Sequence, residues 1–134
     1  DEVEYLVATD DGSLGHHGAV TDLVGDYEAW ADQAFASGPP ALLAALAAQA
    51  IGRRHRLGVA QLGRKRGGGK VDPVGSPAAR RKAFLQVSVE QTVGCALATC
   101  LGCVLPGANG IPQRVCREGP VFAAEELVWE GVPA

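Results

Sequence analysis

The chain has 134 residues, room for one ordinary domain or two small ones, with 47% hydrophobic and 20% charged side chains. Its formal net charge of −3 points neither to a nucleic-acid binder nor to an acidic tail, but the average hides an asymmetry. Ten of the twelve Lys and Arg residues fall between Arg53 and Lys82 against a single acid, Asp72, so that window carries +9 and the remainder −12. No apolar run reaches the ~18 residues that a membrane-spanning helix needs; Pro39 to Ile51 is too short and is interrupted by Gln49. The opening Asp1-Glu2-Val3-Glu4 has the wrong charge for a secretory signal, so a cytoplasmic location is expected. In that compartment four cysteines read more readily as metal ligands than as disulfides. No Met starts the chain and its first residues already read as a buried strand, which suggests a piece of a longer protein.

In chain order, Val3 to Thr9 is apolar and β-branched and stops at Asp10-Asp11-Gly12-Ser13, the pattern of a strand running into a turn. Ala19 to Val24 can begin a short helix with Thr21 or Asp22 in its first turn. Gln33 to Ser37 reads as a second strand, ended by Gly38-Pro39-Pro40, and a proline at the first helical position opens an Ala- and Leu-rich helix over Ala41 to Ile51. Strand, loop, helix, strand, tight turn, helix is the rhythm of an α/β fold with a parallel sheet. From Gly52 to Lys82 no apolar period survives, and the Arg-, Lys- and Gly-rich composition reads as a basic linker. Order returns with a strand at Phe84 to Val89, followed by short pieces around Val104-Leu105, Arg114-Val115 and Val121-Phe122 and a terminal helical turn within Ala123 to Trp129.

The cysteines are spaced Cys95-x4-Cys100-x2-Cys103-x12-Cys116. Three thiolates on one tight loop and a fourth on a neighbouring element match the C-x4-C-x2-C…C pattern of plant-type [2Fe–2S] proteins. Each iron takes four sulfurs, so two bridging sulfides and four thiolates complete the site. The chain must then wrap closely, and Gly94, Ala96, Ala98 and Gly102 are small enough to allow it. Backbone N–H groups of such a loop can donate to the sulfurs and tune the potential. Zinc sites normally present two C-x2-C knuckles and this chain has one; the C-x2-C-x2-C run of a [4Fe–4S] site is absent; disulfides would need an oxidising compartment. The spacing favours the [2Fe–2S] cluster, with zinc and disulfides as the weaker alternatives.

The flanks of this loop resemble one family. Val87-Ser88-Val89-Glu90-Gln91 before it, Cys100-Leu101-Gly102-Cys103-Val104 within it, and Arg114-Val115-Cys116-Arg117-Glu118-Gly119-Pro120-Val121-Phe122 after it are similar to the electron-transfer subunit of type B dihydroorotate dehydrogenase. The run from Ala8-Thr9-Asp10-Asp11-Gly12-Ser13 to Val20-Thr21-Asp22-Leu23 resembles a loop of the same family, and Ser37-Gly38-Pro39-Pro40 its Cys-Gly-Pro-Pro turn. The resemblance implies the C-terminal portion of a ferredoxin-reductase-like protein: a partial nucleotide-binding parallel sheet followed by a small β-rich [2Fe–2S] domain. On that reading residues 1–51 are the second half of the NAD-binding domain, 52–83 a basic linker or insertion, and 84–134 the cluster domain. FAD and NAD are implied for the full-length protein, and the implied partner is the FMN-containing catalytic subunit of dihydroorotate dehydrogenase, in pyrimidine biosynthesis. This portion is not expected to be catalytic alone.

Three departures from the family carry expectations. Ala96 and Ala98 stand where it usually has Gly, so a positive φ at either would strain the loop by about 1 kcal/mol or more. Ser37 replaces the cysteine of the Cys-Gly-Pro-Pro turn, which lies near the nicotinamide ring in related reductases. The basic segment is longer than the family's usual connection.

Asp10 and Asp11 follow a strand at the carboxyl end of a parallel sheet, where nucleotides bind, and either could accept the ribose hydroxyls; capping the next turn is an equal reading. Gly38 and Pro39 would shape the nicotinamide pocket as a consequence of turning the chain from strand to helix. His16 and His17 read as exposed loop residues, Phe122 and Trp129 as packing of the small domain, and Trp30 as packing. The basic segment lacks interleaved aromatics, which favours a solvated linker over a nucleic-acid-binding arm. Two other functions fit the pattern: a reductase-like subunit of another flavoenzyme, of the sulfide dehydrogenase or ferredoxin–NADP transhydrogenase type, and a zinc-stabilised interaction module.

Overall fold

The computed structural model describes residues 3–28, 30–56 and 83–130. It is mixed α/β, and the contacts divide it into two compact units, Asp1–Asp32 and Gln33–Ala134.

In the first unit, β1 (Ala8–Thr9) pairs in parallel with β2 (His16–His17), and α1 (Val20–Glu28) follows. The strand expected over Val3 to Thr9 is confined to its last two residues. Val3 and Tyr5 are exposed, and no residue among those described forms a ladder with 3–7, so a β-prone composition has nothing to pair with. The loop between β1 and β2 closes tightly. Gly15 has φ +72, and a Cβ there would lie 2.1 Å from the Val7 carbonyl oxygen, so only glycine permits the approach. Asp22, in the first turn of α1, accepts a hydrogen bond from the Ala19 N–H at 3.1 Å and so fixes the helix start; the helix runs on to Glu28, past the Val24 expected from sequence. Trp30 packs edge-to-face on Tyr27, with centroids 5.9 Å apart.

The second unit is built on a three-stranded sheet ordered β3 (Ala34–Ser37), β4 (Leu85–Ser88), β7 (Val121–Ala123). β3 and β4 are parallel, with Ala34 opposite Leu85 and Ser37 opposite Ser88; β4 and β7 are antiparallel, with Val87 opposite Phe122. A parallel pair requires a crossover, and α2 (Pro40–Arg56) lies in it. That helix begins at Pro40 and runs on to Arg56, five residues into the segment read as linker from Gly52; helical propensity tolerates one glycine at a cost of about 1 kcal/mol. Residues 57–82, the rest of that segment, lie outside the described residues.

Leu43, Ala47 and Ala50 form a buried stripe along α2 at helical spacing, and Leu85, Val87 and Val89 alternate into the same core along β4. Phe122, fully buried, completes it together with Cys103, Val115, Ala124 and Leu127. A Cβ at Gly119 would lie 2.4 Å from the Phe122 ring, so the chain passes directly beneath that side chain. A 3₁₀ turn, Ala124–Glu126, occupies part of the region expected to be helical, and the Trp129 indole N–H donates to the Ala124 carbonyl at 2.7 Å. The contacts group β3 and α2 with the cysteine-bearing half, in a unit that begins at Gln33.

Candidate metal centre

A short hairpin sets up the site. β5 (Val104–Leu105) pairs antiparallel with β6 (Gln113–Arg114), and the Val115 N–H donates to the Cys103 carbonyl at 3.1 Å. Asn109-Gly110 turns the chain between the strands, with Gly110 at φ +78. Because Cys103 immediately precedes β5 and Cys116 follows β6 by two residues, the ladder brings two cysteines thirteen positions apart in sequence to a sulfur–sulfur distance of 3.3 Å. Cys103 is buried at 2% exposure and Cys116 is half-buried.

The other two cysteines lie on the loop that leads into this hairpin, and here the backbone is organised around sulfur. The N–H groups of Leu97 and Cys100 both donate to the Cys95 sulfur at 3.4 Å, and the Thr99 hydroxyl reaches it at 3.5 Å. The Gly102 N–H donates to the Cys100 sulfur at 3.4 Å. Gly94 and Gly102 flank that sulfur, and a Cβ on either would make only ordinary contact with it, at 3.5 Å. The geometry requires positive φ at Ala96 (+54), Ala98 (+61) and Leu101 (+57). The strain anticipated at the two alanines is therefore present, and Leu101 adds a third residue in the left-handed region.

These donors shift the thiols. The Thr99 hydroxyl, followed by the Cys100 and Leu97 N–H groups, brings the Cys95 thiol down to about 5, so it is a thiolate at neutral pH. The Cys116 N–H and then the Cys116 thiol lower Cys103; in return, the proton shared across their contact raises Cys116. The Ala98 N–H also faces the Cys116 sulfur and favours its thiolate.

The four cysteines thus fall into two pairs, Cys95 with Cys100, whose N–H donates to the Cys95 sulfur, and Cys103 with Cys116, whose sulfurs meet. Among the described residues no three His, Cys, Asp or Glu side chains converge as the ligands of a single metal ion would. Two pairs, each already receiving N–H donors, suit a binuclear centre in which each iron takes two protein thiolates. The donor set is all cysteine sulfur and its surroundings are small, so the residues present fit a [2Fe–2S] cluster.

Beside the pairs stands an ion pair that sequence reading missed. The Arg114 Nε lies 3.1 and 3.2 Å from the two Glu118 carboxylate oxygens, Nη2 also bonds Glu118, and Nη1 donates to the Ala98 carbonyl at 3.4 Å. Arg114 holds the Glu118 carboxyl down to about 2. The spacing of four between these residues was the available signal, but that spacing implies contact only on a helix, and here it spans a turn.

The remaining candidate residues lie elsewhere. Asp10 and Asp11 are exposed in the first unit. Asp11 accepts from the Ser13 N–H at 3.0 Å, and Ser13 holds its carboxyl below the ordinary value, so it supports the turn. His16 and His17 are exposed on β2, with the His16 Nε2 3.6 Å from the Asp22 carboxylate. Gly38 and Pro39 belong to the second unit and join β3 to α2 at the carboxyl end of the parallel pair, with Ser37 exposed at the end of β3. In the same unit a cavity of about 360 Å³ is lined by Pro40, Val89, Leu105, Leu127 and Trp129 among others. No helix of the described residues is long and apolar enough to cross a membrane.

Residues 90–128 match the family model of the iron–sulfur cluster binding domain of dihydroorotate dehydrogenase B. The chain is 32% identical over 127 residues to the dihydroorotate dehydrogenase B (NAD(+)) electron transfer subunit of Geobacillus thermodenitrificans, covering 93% of this chain and 38% of that protein. The corresponding subunit of Bacillus caldolyticus is 33% identical with the same coverages, and that of Caldanaerobacter subterraneus subsp. tengcongensis is 30% identical over 94% of this chain and 41% of its own length. The chain therefore resembles the C-terminal portion of that subunit and spans about two-fifths of the length of these curated relatives. Its fold is similar to that of a chain in the NADH-dependent reduced ferredoxin–NADP oxidoreductase structure, with a TM-score of 0.58 and 19% identity over 95% of this chain and 36% of the other.

Proposed function

We propose that this chain carries single electrons through a [2Fe–2S] cluster held by Cys95, Cys100, Cys103 and Cys116, as the C-terminal portion of an electron-transfer subunit serving dihydroorotate oxidation in pyrimidine biosynthesis. The observation that carries the reading is the arrangement of the four thiols in two pairs, with backbone N–H groups aimed at the sulfurs, inside the segment matched by the iron–sulfur family model. Cys95 and Cys100 would hold one iron, and Cys103 and Cys116 the other. When bound, the cluster supplies one-electron oxidation and reduction without bond chemistry. The chain's own residues stabilise thiolate at Cys95, donate hydrogen bonds to the sulfurs and bury Cys103 against the core.

In the full-length protein, working in the cytoplasm, electrons would pass from NADH through FAD to this site and on to the FMN of a catalytic partner subunit. On this reading β3 and α2 are part of a ferredoxin-reductase-like nucleotide-binding domain. Residues 1–51 are the second half of that domain, 52–83 join the two parts, and 84–134 form the cluster domain. Asp10 and Asp11 would accept ribose hydroxyls, with support of their own turn as the equal alternative, and Gly38-Pro39 would shape the nicotinamide pocket as a consequence of the turn they make.

The test is anaerobic reconstitution with iron and sulfide, followed by metal and sulfide counting and EPR of the reduced protein, then electron delivery to a purified dihydroorotate dehydrogenase catalytic subunit. Two irons and two sulfides per chain, with the signal abolished in Cys103→Ser, is the expected result. Zinc without sulfide would replace the reading with a zinc-stabilised module. A loaded chain that reduces other flavoproteins but not this partner would assign it to another reductase-like assembly.

A further inference from the structure

We infer that Arg114 is the positioning residue of the thiolate site: oriented by Glu118, it holds the Cys95–Cys100 loop against the Cys103–Cys116 pair so that both pairs serve one centre. The inference rests on the cluster reading above and adds to it a residue that supplies no ligand.

Arg114 is the last residue of β6, where its backbone is fixed opposite Val104. Its side chain, 29% exposed, is then fixed at the other end. Both carboxylate oxygens of Glu118 accept from Nε, and Oε2 of the same carboxylate accepts from the Arg114 backbone N–H at 2.7 Å. One carboxylate therefore grips the residue by main chain and side chain together, which leaves the guanidinium little rotational freedom. The nitrogen that remains, Nη1, donates to the carbonyl of Ala98.

Ala98 is the point at which the loop must be held. It lies midway between Cys95 and Cys100, and at φ +61 it occupies a conformation an alanine adopts only when its surroundings impose it. Its carbonyl receives Arg114, the last residue of β6, at 3.4 Å, which ties the loop to the hairpin at this residue. Lysine at 114 would keep the charge but could not bond Glu118 and Ala98 through separate nitrogens of one rigid fork.

The experiment compares Arg114→Gln, Arg114→Lys and Glu118→Gln with the parent in the whole chain. Three quantities are read: the rate of iron loss to excess chelator, the reduction potential against redox dyes, and, in iron-free protein, amide exchange across residues 95–102, with the β3, β4 and β7 amides as the control for folding. Arg114→Gln is expected to release iron at least ~10-fold faster, in line with the loss of a residue that orients ligands. It should also lower the potential and accelerate loop exchange while sheet exchange holds. Arg114→Lys should restore the potential but not loop protection, and Glu118→Gln should move loop exchange in the same direction by less. Unchanged release, potential and loop exchange in Arg114→Gln would overturn the inference, as would full rescue by lysine or loss of sheet protection in all three variants. Failure of the parent to take up iron and sulfide would instead remove the cluster reading, while the exchange arm would still show whether Arg114 holds the loop.

Discussion

Cys103 and Cys116 are brought together by a β-ladder, and Cys103 is sealed in a core that contains Phe122, Val87 and Leu43. Cys95 and Cys100 have no ladder; their loop keeps its shape through N–H donors to sulfur, three non-glycine residues at positive φ, and one hydrogen bond from Arg114. The first pair is placed by the same packing that stabilises the unit. The second is placed by local hydrogen bonds that work against backbone strain. The loop pair is therefore the one whose geometry a bound centre must help to hold, while the hairpin pair is set in advance.

This contrast can be broken most forcefully at Phe122. Removing its fully buried ring in Phe122→Ala should cost about 3–5 kcal/mol in chemical denaturation, and should raise the accessibility of Cys103 to thiol reagents in the iron-free chain. Leu97→Ala, at an exposed loop position, should change stability by no more than about 0.5 kcal/mol. Comparable losses at both positions would mean that the loop is part of the core after all.

A smaller effect of opposite sign is expected in the loop itself. Glycine at Ala96 or Ala98 removes a left-handed penalty of about 1–2 kcal/mol and restores some unfolded-state entropy, for a net gain of about 0.5–1 kcal/mol each. Slower amide exchange across residues 95–102 in Ala98→Gly would show it. Faster exchange would mean that the alanine conformation is less costly than the angle implies.

The finest distinction concerns acid. The Glu118 carboxyl is held at about 2 against an ordinary value of 4.5, so the folded state favours its ionised form. The stabilisation from its pairing with Arg114 is fully present above pH 4.5 and is lost as the pH falls through about 2. Denaturation midpoints of the parent and Glu118→Gln should therefore differ at pH 6 and converge toward pH 2. A difference that persists at pH 2 would assign the effect to packing rather than charge.

The cysteine spacing picked out a candidate set because metal chemistry limits both residue type and spacing, and the positive φ at Ala96 and Ala98 was anticipated from the glycines that stand there in the resembled family. Pairing was not legible. Val3 to Thr9 has the composition of a strand, but composition does not supply a neighbour, and only Ala8–Thr9 found one. The β4 strand was recognised, yet its alignment with Ala34–Ser37, some fifty positions earlier, is a non-local fact that no periodicity encodes. Leu101 gave no warning because leucine is among the residues least expected at positive φ, and the Arg114–Glu118 clamp sits at a spacing that usually signals a helix.

The shared central strand β4 has a practical consequence. It stands between β3 and β7, and six residues after it the chain enters the cysteine loop. The cysteine-bearing segment is thus not a portable cassette. A fragment cut to begin at Phe84 would take the middle of the sheet with it and leave α2 without the surface it covers. Any graft of this site onto another scaffold would have to bring along a strand and helix that contribute no sulfur at all.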